Sequence, residues 1–260
     1  MTYENITERQ VLCFGDSNTY GYDPVRDGRY GPDERYPMVL QSLLGPGWAV
    51  AEEGLPGRTA VFDDPITEGM NGLRLINPIL MSHAPLDTVT IMLGTNDCKA
   101  RFACDSYQIA QGIARLTKKA LQTECWRDNA HPDVLVIVPP VITPAYDRLI
   151  FREEMGPGCH ERCAGIAARL APMLQGLPGV RFLDANTLPG AVCSPVDGMH
   201  MTKEAHRALA QGLYRELTGS ALWCDGRFYV QGDRQLAGTE IECMHAGSAG
   251  VPTVEEYLLS

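Results

Sequence analysis

The chain predicts an α/β fold: a parallel sheet with helices packed on both faces. Three observations predict it. Short apolar runs alternate with amphipathic stretches along the chain, the pattern that strand–helix–strand units produce. Three of the runs are nearly continuous in β-branched or bulky residues, which suits strands covered on both faces. The length, 260 residues, is normal for one α/β domain and enough to bury a large core.

The elements follow in order. Gln10–Phe14 (QVLCF) reads as the first strand and runs into Gly15, Asp16 and Ser17. Tyr36–Leu44 carries apolar residues at three- and four-residue spacing and predicts a helix. Trp48–Ala51 (WAVA) is the second strand, Leu73–Ser82 the next helix, Thr88–Leu93 (TVTIML) the third strand and Tyr107–Gln122 a longer helix. Val134–Val138 (VLVIV) is the fourth strand. After it, Ile142–Met155 is long and flanked by proline, the signature of a loop that borders a pocket as a lid. Cys159–Leu174 predicts a helix, Val180–Leu183 (VRFL) the fifth strand, and Lys203–Leu217 a last helix with Thr202 as N-cap and Gly219 as stop. Right-handed crossovers leave few topologies. The expectation is a flavodoxin-like three-layer α/β/α sandwich with five parallel strands in the order 2-1-3-4-5. In that order the ligand crevice opens at the carboxyl ends of strands 1 and 3.

The alternation breaks after about Ser220, so residues 1–220 are expected to form the domain and 221–260 an extension. WCDGRFYVQGDRQ predicts a small hairpin with Gly232-Asp233 near its turn. From Gln235 onward there is no Lys or Arg. That tail is open to three readings: loosely attached, in contact with a neighbouring subunit of a homo-oligomer, or disordered.

Composition excludes several classes. A formal net charge of −10 repels nucleic acid and anionic membranes. No run approaches ~18 apolar residues, so no membrane span is expected. The N-terminus MTYENITERQ has no apolar stretch of a signal peptide, which makes the cytoplasm the expected location. The 9 cysteines are scattered. Cys13, Cys98 and Cys125 read as small buried hydrophobes. Cys159 and Cys163, with His160 between them, lack the spacing and the second pair of a zinc knuckle.

The crevice argument selects the chemistry. Gly15-Asp16-Ser17 follows strand 1, Gly94-Thr95-Asn96-Asp97 follows strand 3, and Glu53-Gly54-Leu55-Pro56-Gly57-Arg58-Thr59 follows strand 2. Asp197-Gly198-Met199-His200 precedes the last helix at the same edge. Together they supply an acyl-transfer set: Ser17 as nucleophile, His200 as base, and Asp197 to fix the imidazole tautomer. The N–H groups of Ser17 and Gly57 and the Asn96 amide are candidate oxyanion donors. Singly, each has an ordinary explanation as a cap or turn residue; the joint pattern at one sheet edge changes that. Tyr20, Tyr22, Tyr30 and Ile142 are candidate pocket walls, although the tyrosines could equally cover the sheet edge. Asp16 and Asp97 read as braces of the crevice loops, or else as metal ligands. Arg58 is expected to pair with Glu52, Asp63 or Asp64 rather than bind an anion, and His206 to lie at the surface.

These motifs resemble the four blocks of the SGNH (GDSL-type) hydrolases: Gly15-Asp16-Ser17, Gly57, Gly94-Thr95-Asn96-Asp97 and Asp197-x-x-His200. The resemblance runs from about Val11 to Leu217. The segments LCFGDSNTYGY, EEGLPGRTA and IMLGTNDCKA look like the aryl-esterase and acyltransferase (perhydrolase) branch. The resemblance implies a serine esterase of short-chain esters acting through an acyl-enzyme, with acyl transfer to alcohols, no cofactor or metal, and a homo-oligomer. It also explains why the first strand ends in a serine: the family presents its nucleophile without the Gly-x-Ser-x-Gly elbow, which this chain lacks. Asn18 stands where many members have Leu, a departure expected to affect packing near the nucleophile.

A deacetylase of acetylated sugars is the nearest rival, because the same blocks serve it. A flavodoxin-like binding module would carry GxxxxGK or GxGxxG, and neither occurs. A metal-dependent hydrolase using Asp16, Asp97, Asp197 and His200 would leave Ser17 and Asn96 without a role.

Overall fold

The computed structural model describes residues 8–127 and 131–219, and the backbone of two short strands at 222–224 and 227–229. Five strands form the main sheet: β1 (Arg9–Gly15), β2 (Trp48–Gly54), β3 (Thr88–Met92), β4 (Val134–Val138) and β5 (Val180–Asp184). All pairings are parallel and the order is β2-β1-β3-β4-β5. Six helices of six residues or more cover it: α1 (Tyr36–Leu44), α2 (Gly72–Ser82), α3 (Ser106–Leu121), α4 (Cys159–Ala164), α5 (Ile166–Leu174) and α6 (Lys203–Thr218).

Successive strand residues point to opposite faces, so one strand feeds two cores. Leu12 and Phe14 of β1, with Val89 and Ile91 of β3, pack against α2, α3 and α5. Val11 and Cys13, with Leu135 and Ile137 of β4, pack against α1 and α6 through Tyr36, Leu40, Leu209 and Leu213. This double burial explains why these strands read as continuous apolar runs. The helix ends are set locally. Asp105 and Gln108 form a reciprocal capping box at the start of α3. The Thr202 side chain accepts the Ala205 N–H at the start of α6, and Gly219 closes it in the left-handed conformation.

Register places the site. Gly15 of β1 pairs with both Gly54 of β2 and Met92 of β3. The three strands therefore end level, and the chain turns into Asp16-Ser17, Leu55–Arg58 and Gly94–Asp97 along one edge. Gly54 has to be glycine: a Cβ there would lie 2.0 Å from the Tyr20 nitrogen, where the turn after β1 crosses the end of β2.

Two expectations are corrected. The single helix expected over Cys159–Leu174 is two helices meeting at Gly165. A Cβ at Gly165 would stand 2.3 Å from Ser106 Oγ and 2.8 Å from its Cβ, so α3 packs too closely there for a side chain. The hairpin pairs Leu222–Cys224 with Arg227–Tyr229, so its turn falls ahead of Gly232-Asp233. Gly232 and Asp233 lie outside the described residues, as does the tail from 235. Among the described residues, no helix is long and apolar enough to cross a membrane.

Candidate active site

Ser17 opens a four-residue helical turn, Ser17–Tyr20, immediately after β1. Asp16 is its cap, accepting the Asn18 N–H through Oδ1 at 2.9 Å. Asp16 is fully enclosed, and that burial pushes its carboxyl up to about 6 against the pull of the Asn18 N–H, His200 and Arg58.

His200 comes from the far side of the sheet. Its loop leaves β5, at the edge, and returns to β1; three strand spacings are about 14 Å. There Nε2 lies 2.8 Å from Ser17 Oγ, and Nδ1 lies 2.5 Å from Asp197 Oδ2. The other Asp197 oxygen accepts the N–H groups of Met199 at 3.0 Å and His200 at 3.1 Å. Asp197 is wholly buried, while Ser17 and His200 keep 6% exposure each. This is the hydrogen-bonded Ser–His–Asp chain that acyl transfer uses.

The donor side is assembled by cross-bracing. Both Asp97 oxygens accept the Ala60 N–H, at 2.9 and 3.1 Å, and burial pushes this carboxyl up to about 7. Asn96 Nδ2 donates to the Arg58 carbonyl at 3.2 Å, with a weaker 3.5 Å approach to Asp16 Oδ2. The turn after β3 thus clamps the loop after β2. In that loop Gly57 takes φ +91°, which only glycine adopts freely. Among the described residues, neither the Gly57 nor the Ser17 N–H donates to a carbonyl, so both remain available to an oxyanion.

The remaining predicted residues sort themselves. Tyr22 reaches the site: its ring centroid is 4.5 Å from that of His200, and its hydroxyl is tied to Asp27 at 2.8 Å. Tyr20 instead lies under the Arg29 guanidinium, and Tyr30 packs on His206 with its hydroxyl toward the Met201 carbonyl. Ile142, expected to wall the pocket, is instead wholly buried in the core. A residue of the 142–155 segment that the sequence did not single out reaches His200: Phe151 meets the imidazole edge-on at 5.7 Å and Tyr22 at 6.3 Å. The segment is held by Glu154, which takes Lys99 at 2.8 Å and Arg101 at 2.7 Å. The only signal for Phe151 was its place in a long loop after β4.

Arg58 pairs with none of its expected partners. Glu52 is taken by Arg29 and Arg35, Asp63 by Arg74, and Asp64 by Arg101 and Lys99. The buried guanidinium donates to the carbonyls of Gly15, at 2.9 Å, and Glu53, and lies over the Phe14 ring at 4.2 Å. His206 is not at the surface: it is wholly buried beside Tyr30 and Tyr36, and desolvation pushes it down to about 3, so it is neutral. Cys159 and Cys163 are buried beside Cys98, while His160 turns its Nδ1 to the Ile142 carbonyl at 2.6 Å. Among the described residues, no three His, Cys, Asp or Glu side chains converge to hold a metal.

A five-stranded parallel sheet with this serine, glycine, asparagine and histidine at one edge defines an SGNH-type carboxylic ester hydrolase. Residues 13–208 match the GDSL-like Lipase/Acylhydrolase family, and the chain belongs to it. Among solved structures it is similar to an aryl esterase of M. smegmatis, with 33% identity over 81% of this chain and 99% of that one and a TM-score of 0.71. It is also similar to Est24, a carbohydrate acetylesterase from Sinorhizobium meliloti, with 32% identity over 82% of this chain and 99% of that one and a TM-score of 0.73. No curated protein matches the chain.

Proposed function

We propose that the protein is a serine esterase of short-chain carboxylic esters, aryl or alkyl acetates, that forms an acyl-enzyme on Ser17. The 2.8 Å contact between Ser17 Oγ and His200 Nε2, continued at 2.5 Å to Asp197, carries this reading. As Oγ attacks the ester carbonyl carbon, its proton passes to Nε2. The carbonyl electrons move onto oxygen, where the N–H groups of Ser17 and Gly57 and the Asn96 amide stabilise them. Collapse breaks the bond to the alcohol oxygen, which takes the proton from His200. Water or an alcohol then attacks the acyl-enzyme by the reverse sequence and restores Ser17.

Tyr22 and Phe151 favour an apolar or aryl group beside His200. They also limit the water around the acyl-enzyme, which supports transfer to alcohols alongside hydrolysis. The second reading, a carbohydrate O-acetyl esterase, draws on the similarity to Est24. A panel of aryl acetates and acetylated sugars, assayed with wild type and Ser17→Ala, tests both. The proposal expects aryl acetates to lead in kcat/KM and Ser17→Ala to be inactive on every substrate. Faster turnover of sugar acetates would favour the second reading. A fluorophosphonate adduct at Ser17, located by mass spectrometry, checks the nucleophile directly. For transfer, vinyl acetate with dilute benzyl alcohol in buffer should yield benzyl acetate above the alcohol-to-water ratio. A yield that only tracks that ratio would mean a plain hydrolase.

A further inference from the structure

We infer that Asn18, the residue after the nucleophile, is a positioning residue that fixes His200 against Ser17. Asn18 is 1% exposed, and its side chain spans two groups on either side of His200. Asn18 Oδ1 accepts the Met201 N–H at 2.9 Å, and Nδ2 approaches the Met199 carbonyl at 3.5 Å.

The backbone around His200 is thereby fully accounted for. The His200 N–H goes to Asp197 Oδ1 at 3.1 Å, and its carbonyl accepts the Ser194 N–H at 2.7 Å. Those two bonds come from the histidine's own loop, and they would travel with it if the loop shifted. The two Asn18 contacts come from the turn that carries Ser17. They join segments 183 residues apart in sequence that arrive from strands with two others between them. The chain bends at Met199 and His200, and the Met199 carbonyl and the Met201 N–H on either side of the histidine both reach Asn18. A carboxamide carries an acceptor oxygen and a donor NH₂ on one carbon, so it pairs with both at once. Leucine, common at this position in the resembled family, could fill the space but make neither bond.

A misplacement of about 1 Å between reacting groups can cost about 10²-fold, and the base must stay within hydrogen-bond reach of Ser17 Oγ. Holding the imidazole there should lower the barrier to acylation without changing how the ester binds. The inference rests on the proposed roles of Ser17 and His200, and fluorophosphonate labelling of the wild type at Ser17 tests those roles separately.

The experiment compares wild type, Asn18→Leu and Asn18→Asp by kcat and KM on an aryl acetate and by the rate of fluorophosphonate inactivation. Each value is taken per folded molecule, with folding checked by thermal melting. Asn18→Leu should lower kcat at least tenfold with KM within twofold, and slow inactivation by a similar factor. Asn18→Asp keeps the size and the acceptor for Met201, so it should lie between the two. The inference is overturned if Asn18→Leu keeps kcat within twofold, if it loses activity only in proportion to its unfolded fraction, or if both variants fall equally. Should Asn18→Leu fail to fold, Asn18→Asp decides alone. A kcat at least threefold down at unchanged KM supports positioning, and wild-type kcat overturns it.

Discussion

Asp197 divides its work between two oxygens, and that division makes Asp197→Asn informative. The N–H groups of Met199 and His200 hold one position as an acceptor. An asparagine would put its carbonyl there and aim its NH₂ at His200 Nδ1. The imidazole would then carry its proton on Nε2, where it cannot take one from Ser17. The fold should survive while kcat falls on the order of 10⁴, the loss seen for this substitution in a serine protease. Steady-state kinetics with a melting curve check it. Asn96→Ala should lower kcat by about 10²–10³ with little change in KM, since its amide would meet charge only as the reaction proceeds. Asp97 makes a pH prediction. Burial raises its folded-state pKa to about 7, above the unfolded value. The unfolded chain therefore releases this proton first, and the folded state loses stability as pH climbs from about 4 to about 7. Asp97→Asn removes that loss. Its stability relative to wild type should grow by on the order of 2 kcal/mol between pH 5.5 and pH 8, measured by urea unfolding. At this scale the sequence showed residue types but not partners. Ser17, Asn96, Asp197 and His200 were legible because their chemistry points to one another across a known sheet edge. Arg58 and His206 were misread because nothing in the sequence says that Glu52 is already engaged or that α6 turns His206 inward.

Gly165 separates α4 from α5 against local preference. Alanine is the better helix former by about 1 kcal/mol, and φ −82° admits it. Even so, Gly165→Ala should lower the melting temperature, because the new methyl meets Ser106 on α3; overpacking of this kind costs about 1–3 kcal/mol. Periodicity sees apolar spacing and not the distance to another helix, so the break was invisible in the sequence. The segment after β4 shows the same limit: its length was legible, its fastening was not. Glu154→Gln weakens the hold of Lys99 and Arg101 on the segment that presents Phe151. A partly exposed ion pair contributes about 0.2–1 kcal/mol, so KM for an aryl acetate should rise up to about fivefold. The wild-type KM should drift the same way with added salt, and the variant's should not.

The whole fold was the most legible level, because a doubly covered parallel sheet writes its pattern into every strand. All five strands were placed and their order anticipated, since continuous apolar runs, short turns and right-handed crossovers leave few alternatives. Phe14 is wholly buried in β1, with the Arg58 guanidinium over its ring. Phe14→Ala should cost about 3–5 kcal/mol by urea unfolding and lower activity through the shared turn. The loop that returns from β5 to β1 has a consequence for how the enzyme comes into being. A ribosome releases Ser17 early and His200 183 residues later, so a half-made chain carries a serine with no base to activate it. If Ser17 and His200 act as proposed, hydrolysis begins only after the edge strand has docked and the loop behind it has crossed back. In the proposed mechanism a late stretch of the domain, followed only by α6, is the switch that turns the first one on.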